Sequence, residues 1–415
     1  MGQTIIEKII AHNSKADSVK PGDIVTVNVD RVMLDDIMIP FIVDKFHEMG
    51  FTKVWDPDKV VLIYDHLVPA SQQDDTRHYR VGDAFVKECA LTHVHRSDGI
   101  CHQLMTEAGY VKPGDVVFGT DSHTTTYGCV GAFSTGIGYT EMAAILGTGN
   151  LWVKVPETIR VEIEGTLPES VMSKDVILRL IGDLGADGAT YRALEFTGTA
   201  IDEMSVASRM TIANMAIEAG AKCALFSPDE KTAKYCQTSL DGFQKSLRGD
   251  EDAHYLQVIT YQAEDFVPVM ACPSQVDKIR KVSELEGTVI DQVFIGSCTN
   301  GRLEDLQAAA KVLEGKTVAP FVKLIVTPAS RKVYEEALAC GALQTLLKAG
   351  AIITHPGCGL CCGRTGGILC DGERVVATNN RNFLGRMGTS KVEIYLASPA
   401  VAAACAAAGK ITARI

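Results

Sequence analysis

Long apolar runs, an excess of positive charge and internal repeats are all lacking from this chain of 415 residues. No run approaches the ~18 apolar residues that a membrane-spanning helix needs, so we expect no membrane association. The net charge of −11 counts against nucleic acid or an anionic membrane as the usual partner. The first ten residues have the pattern of an amphipathic helix and not of a signal peptide, which predicts a cytoplasmic protein.

The glycine patterns of nucleotide-binding proteins are lacking too. The stretch from Gly363 to Gly367 is too irregular for a phosphate-binding loop, and the region from Gly119 to Gly149 does not fit the dinucleotide-binding pattern. NAD and ATP are therefore excluded as cofactors. Apolar residues make up 46% of the chain and charged residues 22%, so the composition is that of a globular protein and excludes intrinsic disorder.

A recurring pattern is present instead: short β-branched apolar runs, each followed at once by polar or Gly-rich residues. Helical patterns lie between the runs, for example from Leu303 to Leu313 and from Arg331 to Ala339. This alternation predicts an α/β fold with parallel sheets covered by helices. Ligands of such sheets bind beyond the carboxyl ends of the strands, so we expect the polar residues to converge there. The five runs begin at Val60, Val116, Val293, Ala351 and Val375.

Two changes along the sequence suggest domain boundaries. An alternating strand begins at Thr158, just after Pro156, and the segment from Pro273 to Glu286 has the pattern of a charged helical connector. The predicted domains are therefore residues 1–156, 157–284 and 285–415.

The chain has 13 cysteines, an odd number, and most of them lie singly in apolar surroundings, as is usual for core thiols in a reducing cytosol. Cys358 and Cys361 differ because they form a C-x-x-C pair, and Cys298 lies in a strand-end loop of its own. The pattern leaves three interpretations open: a zinc site, a redox pair, and an iron–sulfur cluster held by three thiolates with one iron open to substrate. Cys362 and Cys370 are interpreted as neighbouring or core thiols.

Acid–imidazole pairs follow two of the predicted strands. Asp65 precedes His66, and Asp121 lies two residues before His123. A carboxylate beside an imidazole orients the ring and raises its pKa, which suits a general acid, although a single Asp-His pair is more often a loop or helix cap. His102 is a further candidate.

Three more polar groups have patterns that suggest function. Glu195 stands among apolar residues, and a buried carboxylate is uncommon without a partner or a function. The segment from Asn380 to Arg386 carries Arg381 and Arg386, which either form surface salt bridges or bind the carboxylates of an anionic ligand.

Several of these segments together resemble the aconitase superfamily over essentially the whole chain, most closely the large subunits of 3-isopropylmalate dehydratase and homoaconitase. A tail from Leu396 to Ala402 is similar as well. The most specific stretches are Gly119 to Thr124, Gly296 to Arg302, Pro356 to Cys361, and Asn380 to Gly388.

The resemblance implies three α/β/α domains around a central cleft that holds a [4Fe–4S] cluster. It implies that the cluster ligands are Cys298, Cys358 and Cys361. The open iron would act as a Lewis acid toward the hydroxyl and carboxylate of a hydroxy di- or tricarboxylate, in a reversible dehydration that also isomerises the substrate.

The resemblance also implies roles for the polar residues. His66, oriented by Asp65, would protonate the leaving hydroxyl. The residues implied to hydrogen-bond the iron-bound water and orient one another are His102, Asp121, His123 and Glu195, and the implied anchors of the substrate carboxylates are Asn380, Arg381 and Arg386.

A separate partner is implied by the same family. In single-chain aconitases a fourth, swivelling domain supplies the base that removes the carbon-bound proton, whereas this sequence ends at Ile415. We therefore expect a small subunit of roughly 160–200 residues, one ordinary domain in size, that supplies this base. Without it the chain should be almost inactive.

Three positions depart from the family pattern: Asp35, Cys362 and Asn379. They affect the prediction of the substrate more than that of the chemistry. The leading prediction is the conversion of 2-isopropylmalate to 3-isopropylmalate in leucine biosynthesis. Homoaconitase and a dehydratase acting on 2,3-dimethylmalate or citramalate are alternatives of the same class. A non-enzymatic RNA-binding protein and a zinc-stabilised protein are alternatives of another class.

Overall fold

The computed structural model describes residues 2–415, which form two compact units. The first unit comprises the residues up to Arg96 together with Leu104–Gly165 and Ala189–Gln262, and the second comprises Ser97–Gln103, Thr166–Gly188 and Ala263–Ile415. The division into three domains at about residues 156 and 284 stays a prediction. In residues 2–415 no helix combines the length and the apolar character that crossing a bilayer requires.

The predicted alternation of strands and helices is confirmed in both units. The α-helices are α1 (Ile5–Ser14), α2 (Ile39–Glu48), α3 (Asp75–Cys89), α4 (Cys101–Glu107), α5 (Tyr139–Thr148), α6 (Ser173–Leu184), α7 (Thr199–Glu203), α8 (Val206–Met215), α9 (Glu230–Tyr235), α10 (Ser297–Asn300), α11 (Leu303–Leu313), α12 (Arg331–Ala339), α13 (Ala342–Ala349) and α14 (Pro399–Ala408).

The strands of the first unit form two parallel sheets and one antiparallel ribbon. They are β1 (Ile24–Asn28), β2 (Arg31–Asp35), β3 (Val60–Ile63), β4 (His93–His95), β5 (Val116–Gly119), β6 (Phe133–Gly136), β7 (Asn150–Lys154), β8 (Thr158–Glu164), β9 (Ala193–Thr197), β10 (Cys223–Phe226) and β11 (Gln257–Gln262). One sheet has the order β4-β3-β2-β5-β6, and the other has the order β10-β9-β8-β11. Strands β1 and β7 pair antiparallel.

The second unit is built on one mixed sheet of order β13-β12-β18-β17-β14-β15-β16. Its strands are β12 (Val269–Ala271), β13 (Ile279–Lys281), β14 (Gln292–Gly296), β15 (Lys323–Thr327), β16 (Ile352–Ile353), β17 (Arg374–Ala377) and β18 (Glu393–Leu396). Strands β14 to β18 run parallel, whereas β12 is antiparallel to both of its neighbours.

Burial explains why these segments adopt their structure. Strands β3, β5 and β14 are buried along their whole length, as expected for parallel strands with helices on both faces. Helix α1 buries its isoleucines, and a capping box between Thr4 and Glu7 fixes its start, so the predicted amphipathic helix is present but begins at Ile5. The helical patterns of α11 and α12 and the alternating strand β8 are confirmed.

One local prediction is wrong. The segment from Pro273 to Glu286 is not a helical connector: it contains a turn, strand β13 and a short 3₁₀ turn, Val282–Glu284. Strand β13 pairs antiparallel with β12, so backbone groups of this segment are satisfied by a neighbouring strand and not by a helix. Sheet pairing overrides the weak helical propensity of a short charged run.

Candidate functional site

In the first unit acidic or imidazole side chains lie at the ends of three neighbouring strands or just after them. Strand β2 ends at Asp35 and continues to Asp36, and its neighbour β3 continues to Asp65 and His66. On the other side of β2, strand β5 continues to Asp121. The carboxyl ends of parallel strands share one edge of the sheet, which is why segments distant in sequence bring these side chains together.

His66 is held by three carboxylates. Its Nδ1 lies 2.7 Å from Asp65 Oδ1 and 3.7 Å from Asp36 Oδ1. Its Nε2 lies 3.7 Å from Asp121 Oδ2. Asp36 also accepts hydrogen bonds from the backbone amides of His66 and Leu67, at 3.1 and 2.9 Å, so it fixes the loop that carries the imidazole.

The electrostatics of this cluster keep a proton on His66. Burial by itself would lower the pKa of His66, but the charge of Asp65 and the hydrogen bonds that the imidazole donates to Asp121 and Asp65 outweigh it and raise this pKa well above the ordinary value. Burial and the neighbouring charge of Asp65 raise the pKa of Asp36 to about 7. The arrangement can therefore store and donate a proton near neutral pH.

The acid–imidazole contacts continue beyond Asp121. Asp121 Oδ1 accepts a hydrogen bond from the backbone amide of His123 at 2.8 Å and lies 3.2 Å from His123 Nδ1. His123 Nε2 in turn lies 2.8 Å from Glu218 Oε1. Asp65, His66, Asp121, His123 and Glu218 thus form an unbroken line of alternating carboxylates and imidazoles, which we call the relay.

Glu218 is a member of the relay that sequence reasoning missed. It lies on the 3₁₀ turn Ala216–Ala219, directly after helix α8. Asn214 at the end of α8 donates a hydrogen bond from its side chain to Thr126 Oγ1 at 2.9 Å, which anchors α8 to the segment that carries His123. The small residues around Glu218 indicate that a neighbouring segment can approach closely. They do not indicate that the partner is His123, which lies far away in sequence.

Glu195, which the resemblance assigned to the same group, has other partners. It lies on β9 and is buried, as predicted. Its Oε2 accepts a hydrogen bond from the amide of Ile5 at 2.9 Å, and its Oε1 accepts one from the Tyr255 hydroxyl at 2.6 Å. These contacts hold the start of helix α1. The glutamate that the structure places against His123 is Glu218, which faces its Nε2.

His102 lies on helix α4 and is buried. It belongs to the segment Ser97–Gln103, which is part of the second unit. The amide of Ile100 donates a hydrogen bond to the carbonyl of Ala329 at 2.8 Å, so this segment is held against the chain after β15.

The three candidate ligand cysteines all belong to the second unit and are buried. Cys298 lies on α10, immediately after β14. Between strand and cysteine, Gly296 passes so close to Thr327 that a Cβ would lie 2.6 Å from its carbonyl oxygen, and Ser297 has a φ of 73°. This sharp turn, unusual for a non-glycine residue, turns the chain at the strand end just before the cysteine.

Cys358 and Cys361 follow strand β16, and Cys361 lies on the 3₁₀ turn Gly359–Cys362. The Asn380 side chain touches two of the sulfurs: its Nδ2 donates to Cys298 Sγ at 3.4 Å, and its Oδ1 accepts from Cys361 Sγ at 3.7 Å. Hydrogen bonds with the thiols of Cys361 and Cys362, together with burial, raise the pKa of Cys358 well above its ordinary value. The sulfurs of Cys298 and Cys361 therefore meet at one amide, and Cys358 is hydrogen-bonded to Cys361.

One arginine contacts these sulfurs directly. Arg386 Nη2 lies 3.6 Å from Cys361 Sγ. Its Nε is buried and has no hydrogen-bond partner within residues 2–415, so the guanidinium keeps a donor for a bound anion. Arg381 lies in the same loop after β17, and its carbonyl accepts a hydrogen bond from Asn379 Nδ2 at 2.9 Å. A site with buried thiols, an arginine and an unsatisfied donor suits an anionic cluster and an anionic ligand.

Of the three positions that depart from the family pattern, Asp35 lies in the first unit, and Cys362 and Asn379 lie in the second. Asp35 is buried, its Oδ2 accepts from the Thr120 hydroxyl at 2.5 Å, and burial raises its pKa. Cys362 Sγ donates to the carbonyl of Gly359 at 3.4 Å. Asn379 is fully buried, and its Oδ1 has no hydrogen-bond partner within the described chain.

Comparisons with known proteins identify the family of this chain. The model of the Aconitase family (aconitate hydratase) matches residues 7–286 and 278–409. The chain is 50% identical over 413 residues to 3-isopropylmalate dehydratase large subunit 1 of Methanopyrus kandleri, covering 99% of each chain. It is 48% identical over 415 residues to the 3-isopropylmalate dehydratase large subunit of Moorella thermoacetica, covering 100% of this chain and 99% of that one.

A solved structure supports the fold. The holo-form of aconitase X from Thermococcus kodakaraensis matches with a TM-score of 0.50 and 16% sequence identity, over 86% of this chain and 84% of the other. The predicted α/β fold of the aconitase type is thereby confirmed.

Proposed function

This chain belongs to the aconitase family, and from that premise we propose that it is the large subunit of a 3-isopropylmalate dehydratase, a cytoplasmic hydro-lyase that works with a separate small subunit. The small subunit is inferred from the names of the relatives, which are large subunits. The cytoplasm suits a chain with 13 cysteines and no disulfide bond in residues 2–415.

The observation that carries this proposal is the convergence of the sulfurs of Cys298 and Cys361 on Asn380, with Cys358 hydrogen-bonded to Cys361. We propose that these three thiolates hold a [4Fe–4S] cluster. When bound, such a cluster offers an iron with an open position, which acts as a Lewis acid toward the hydroxyl of the substrate.

The residues of the chain would supply binding and proton chemistry. Arg381 and Arg386 bind the carboxylates of the substrate, and the planar guanidinium of arginine suits this task because it forms paired hydrogen bonds. His66, kept protonated by Asp65 and Asp121, donates a proton to the hydroxyl group that leaves as water.

The rest of the relay keeps Asp121 in place and balances its charge. His123 bridges Asp121 and Glu218, so both oxygens of Asp121 face an imidazole. His102 is proposed as a further imidazole of the reaction. In this scheme a base on the small subunit takes the proton from carbon, and rehydration at the neighbouring carbon by the reverse steps completes the isomerisation.

Anaerobic purification of the chain with its small subunit tests the proposal. We expect a brown protein with broad absorption near 400 nm, about four irons per chain, and activity on 2-isopropylmalate. Cys358→Ser should lose both the absorption and the activity. Cys340→Ser, the same change at an exposed cysteine, should lose neither.

Two outcomes would refute the proposal. A colourless protein with stoichiometric zinc would favour the zinc-stabilised alternative. Full activity of Cys358→Ser would remove the cysteine from the ligand set. Parallel assays on homocitrate and 2,3-dimethylmalate separate the alternative substrates.

A further inference from the structure

Lys174 is a wholly buried lysine that the proposed reaction does not use. It is the second residue of helix α6, and its relative exposure is 0%. Its Nζ donates hydrogen bonds to the carbonyl oxygens of Thr378 and Asn379, at 2.8 and 2.6 Å. Both acceptors are neutral, and Lys174 takes part in no ion pair within residues 2–415.

This position is unfavourable for a cation on two grounds. Burial lowers the pKa of Lys174 to about 7, because the charged form loses its hydration. A cation in the first turn of a helix also meets the positive end of the helix dipole. A lysine retained under both conditions requires negative charge nearby to offset them.

The negative groups near Lys174 are the carboxylates of Asp175 and Asp305 and the sulfurs of Cys298 and Cys361. Both carboxylates are already engaged. Asp175 accepts from the amides of Met172 and Val269, and Asp305 accepts from Asn300 and from the amide of Arg302. The sulfurs are the groups that would become negative when they bind a metal.

The hydrogen bonds of Lys174 also reach the sulfurs through the backbone. Thr378 and Asn379 directly precede Asn380, whose amide contacts Cys298 and Cys361. The Thr378 hydroxyl accepts a hydrogen bond from the amide of Gly296 at 2.9 Å, two residues before Cys298. Lys174 therefore holds the turn of residues 378–380, which follows β17 and is hydrogen-bonded to the end of β14.

We propose that Lys174 is a positioning residue of the sulfur site. Its two hydrogen bonds hold the turn of residues 378–380 so that Asn380 meets both sulfurs, and its charge offsets the negative charge of the metal group. The inference deepens the proposed function, since it takes the three cysteines as ligands of an iron–sulfur cluster.

The test compares wild type, Lys174→Met and Lys174→Arg in the anaerobically prepared complex with the small subunit. Lys311→Met serves as the matched control, because that lysine is exposed. Lys174→Met should lose the absorption near 400 nm about tenfold faster in a chelator, a typical effect for a residue that supports metal ligands. Its cluster should have a more negative reduction potential, because a nearby positive charge is gone.

Lys174→Arg, which keeps the charge, should restore most of the cluster retention and of the potential. A wild-type potential in Lys174→Met would overturn the role of the charge, and so would an arginine variant that behaves like the methionine variant. A merely structural lysine would affect the melting temperature but not the potential, so both are measured.

A second measurement does not depend on iron. In the iron-free full chain, amide hydrogen exchange of the peptide around residues 376–382 should be faster in Lys174→Met than in wild type or Lys174→Arg. Unchanged exchange would overturn the positioning role. A wild-type protein without any cluster would refute the proposed function, while the exchange comparison would still decide the positioning role of Lys174. If Lys174→Met does not fold, Lys174→Gln replaces it.

Discussion

The exchange of one carboxylate for an amide at Glu218 tests the relay most directly. Glu218→Gln keeps the size of the side chain but removes the charge that faces His123 Nε2 across 2.8 Å. A hydrogen bond to a charged group contributes about 1.5–3 kcal/mol. If this energy stabilises the transition state, the loss lowers kcat about 10- to 100-fold, since about 1.4 kcal/mol is a factor of ten in rate.

Glu195→Gln provides the matched comparison, because it makes the same chemical change at another buried glutamate. Glu195 holds the amide of Ile5 and the hydroxyl of Tyr255, and a glutamine oxygen can satisfy only one of them well. We therefore expect a loss of about 1–3 kcal/mol in the free energy of unfolding, seen as a lower melting temperature.

The assay measures kcat and KM of both variants in the complex with the small subunit, together with absorption near 400 nm to show that equal amounts of cluster are compared. The expected result is a low kcat with normal stability for Glu218→Gln and the reverse for Glu195→Gln. The opposite pattern would refute the relay and return Glu195 to the role that the family resemblance implied.

Two further predictions follow from the same contacts. Asp65→Asn removes the negative partner of His66 Nδ1, so the pKa of His66 should fall. Because the proposed acid must be protonated to act, the alkaline limb of the pH profile of kcat should then move to lower pH. An unmoved limb would exclude His66 as the acid. Arg386→Lys removes the planar donor pair and the buried Nε, so KM for the hydroxy-acid should rise about tenfold or more. The same change at the exposed Arg179 should leave KM unchanged. Equal KM values in the two variants would contradict carboxylate binding by Arg386.

The sequence predicted what depends on local pattern. Strands β3, β5 and β14 and the polar residues after them follow from apolar runs that end abruptly. The assignment to the aconitase family was predicted mainly from four short stretches, and the family match confirms it. Burial of Glu195 also follows from its apolar neighbours. The partners of a buried carboxylate do not follow from the sequence in this way. Glu218 faces His123 because α8 packs against a segment that is far away in sequence.

The burial of Lys174 could not be predicted from the sequence either. A lysine in the first turn of a helix normally indicates a solvated side chain, whereas Lys174 is buried and bonds to the backbone of Thr378 and Asn379, about 200 residues away in sequence. The cysteine ligands themselves stay a prediction, although the sulfurs of Cys298 and Cys361 meet at Asn380.

The order of strands in the second unit places the candidate ligands and the arginines on separate loops, which can be changed one at a time. The loop after β14 carries Cys298, the loop after β16 carries Cys358 and Cys361, and the loop after β17 carries Arg381 and Arg386. These loops leave the same side of a rigid platform but are separate stretches of chain. Exchanging residues 381–386 of the β17 loop between relatives should therefore change which hydroxy-acid is accepted, while Asn380 and the proposed cysteine ligands stay in place.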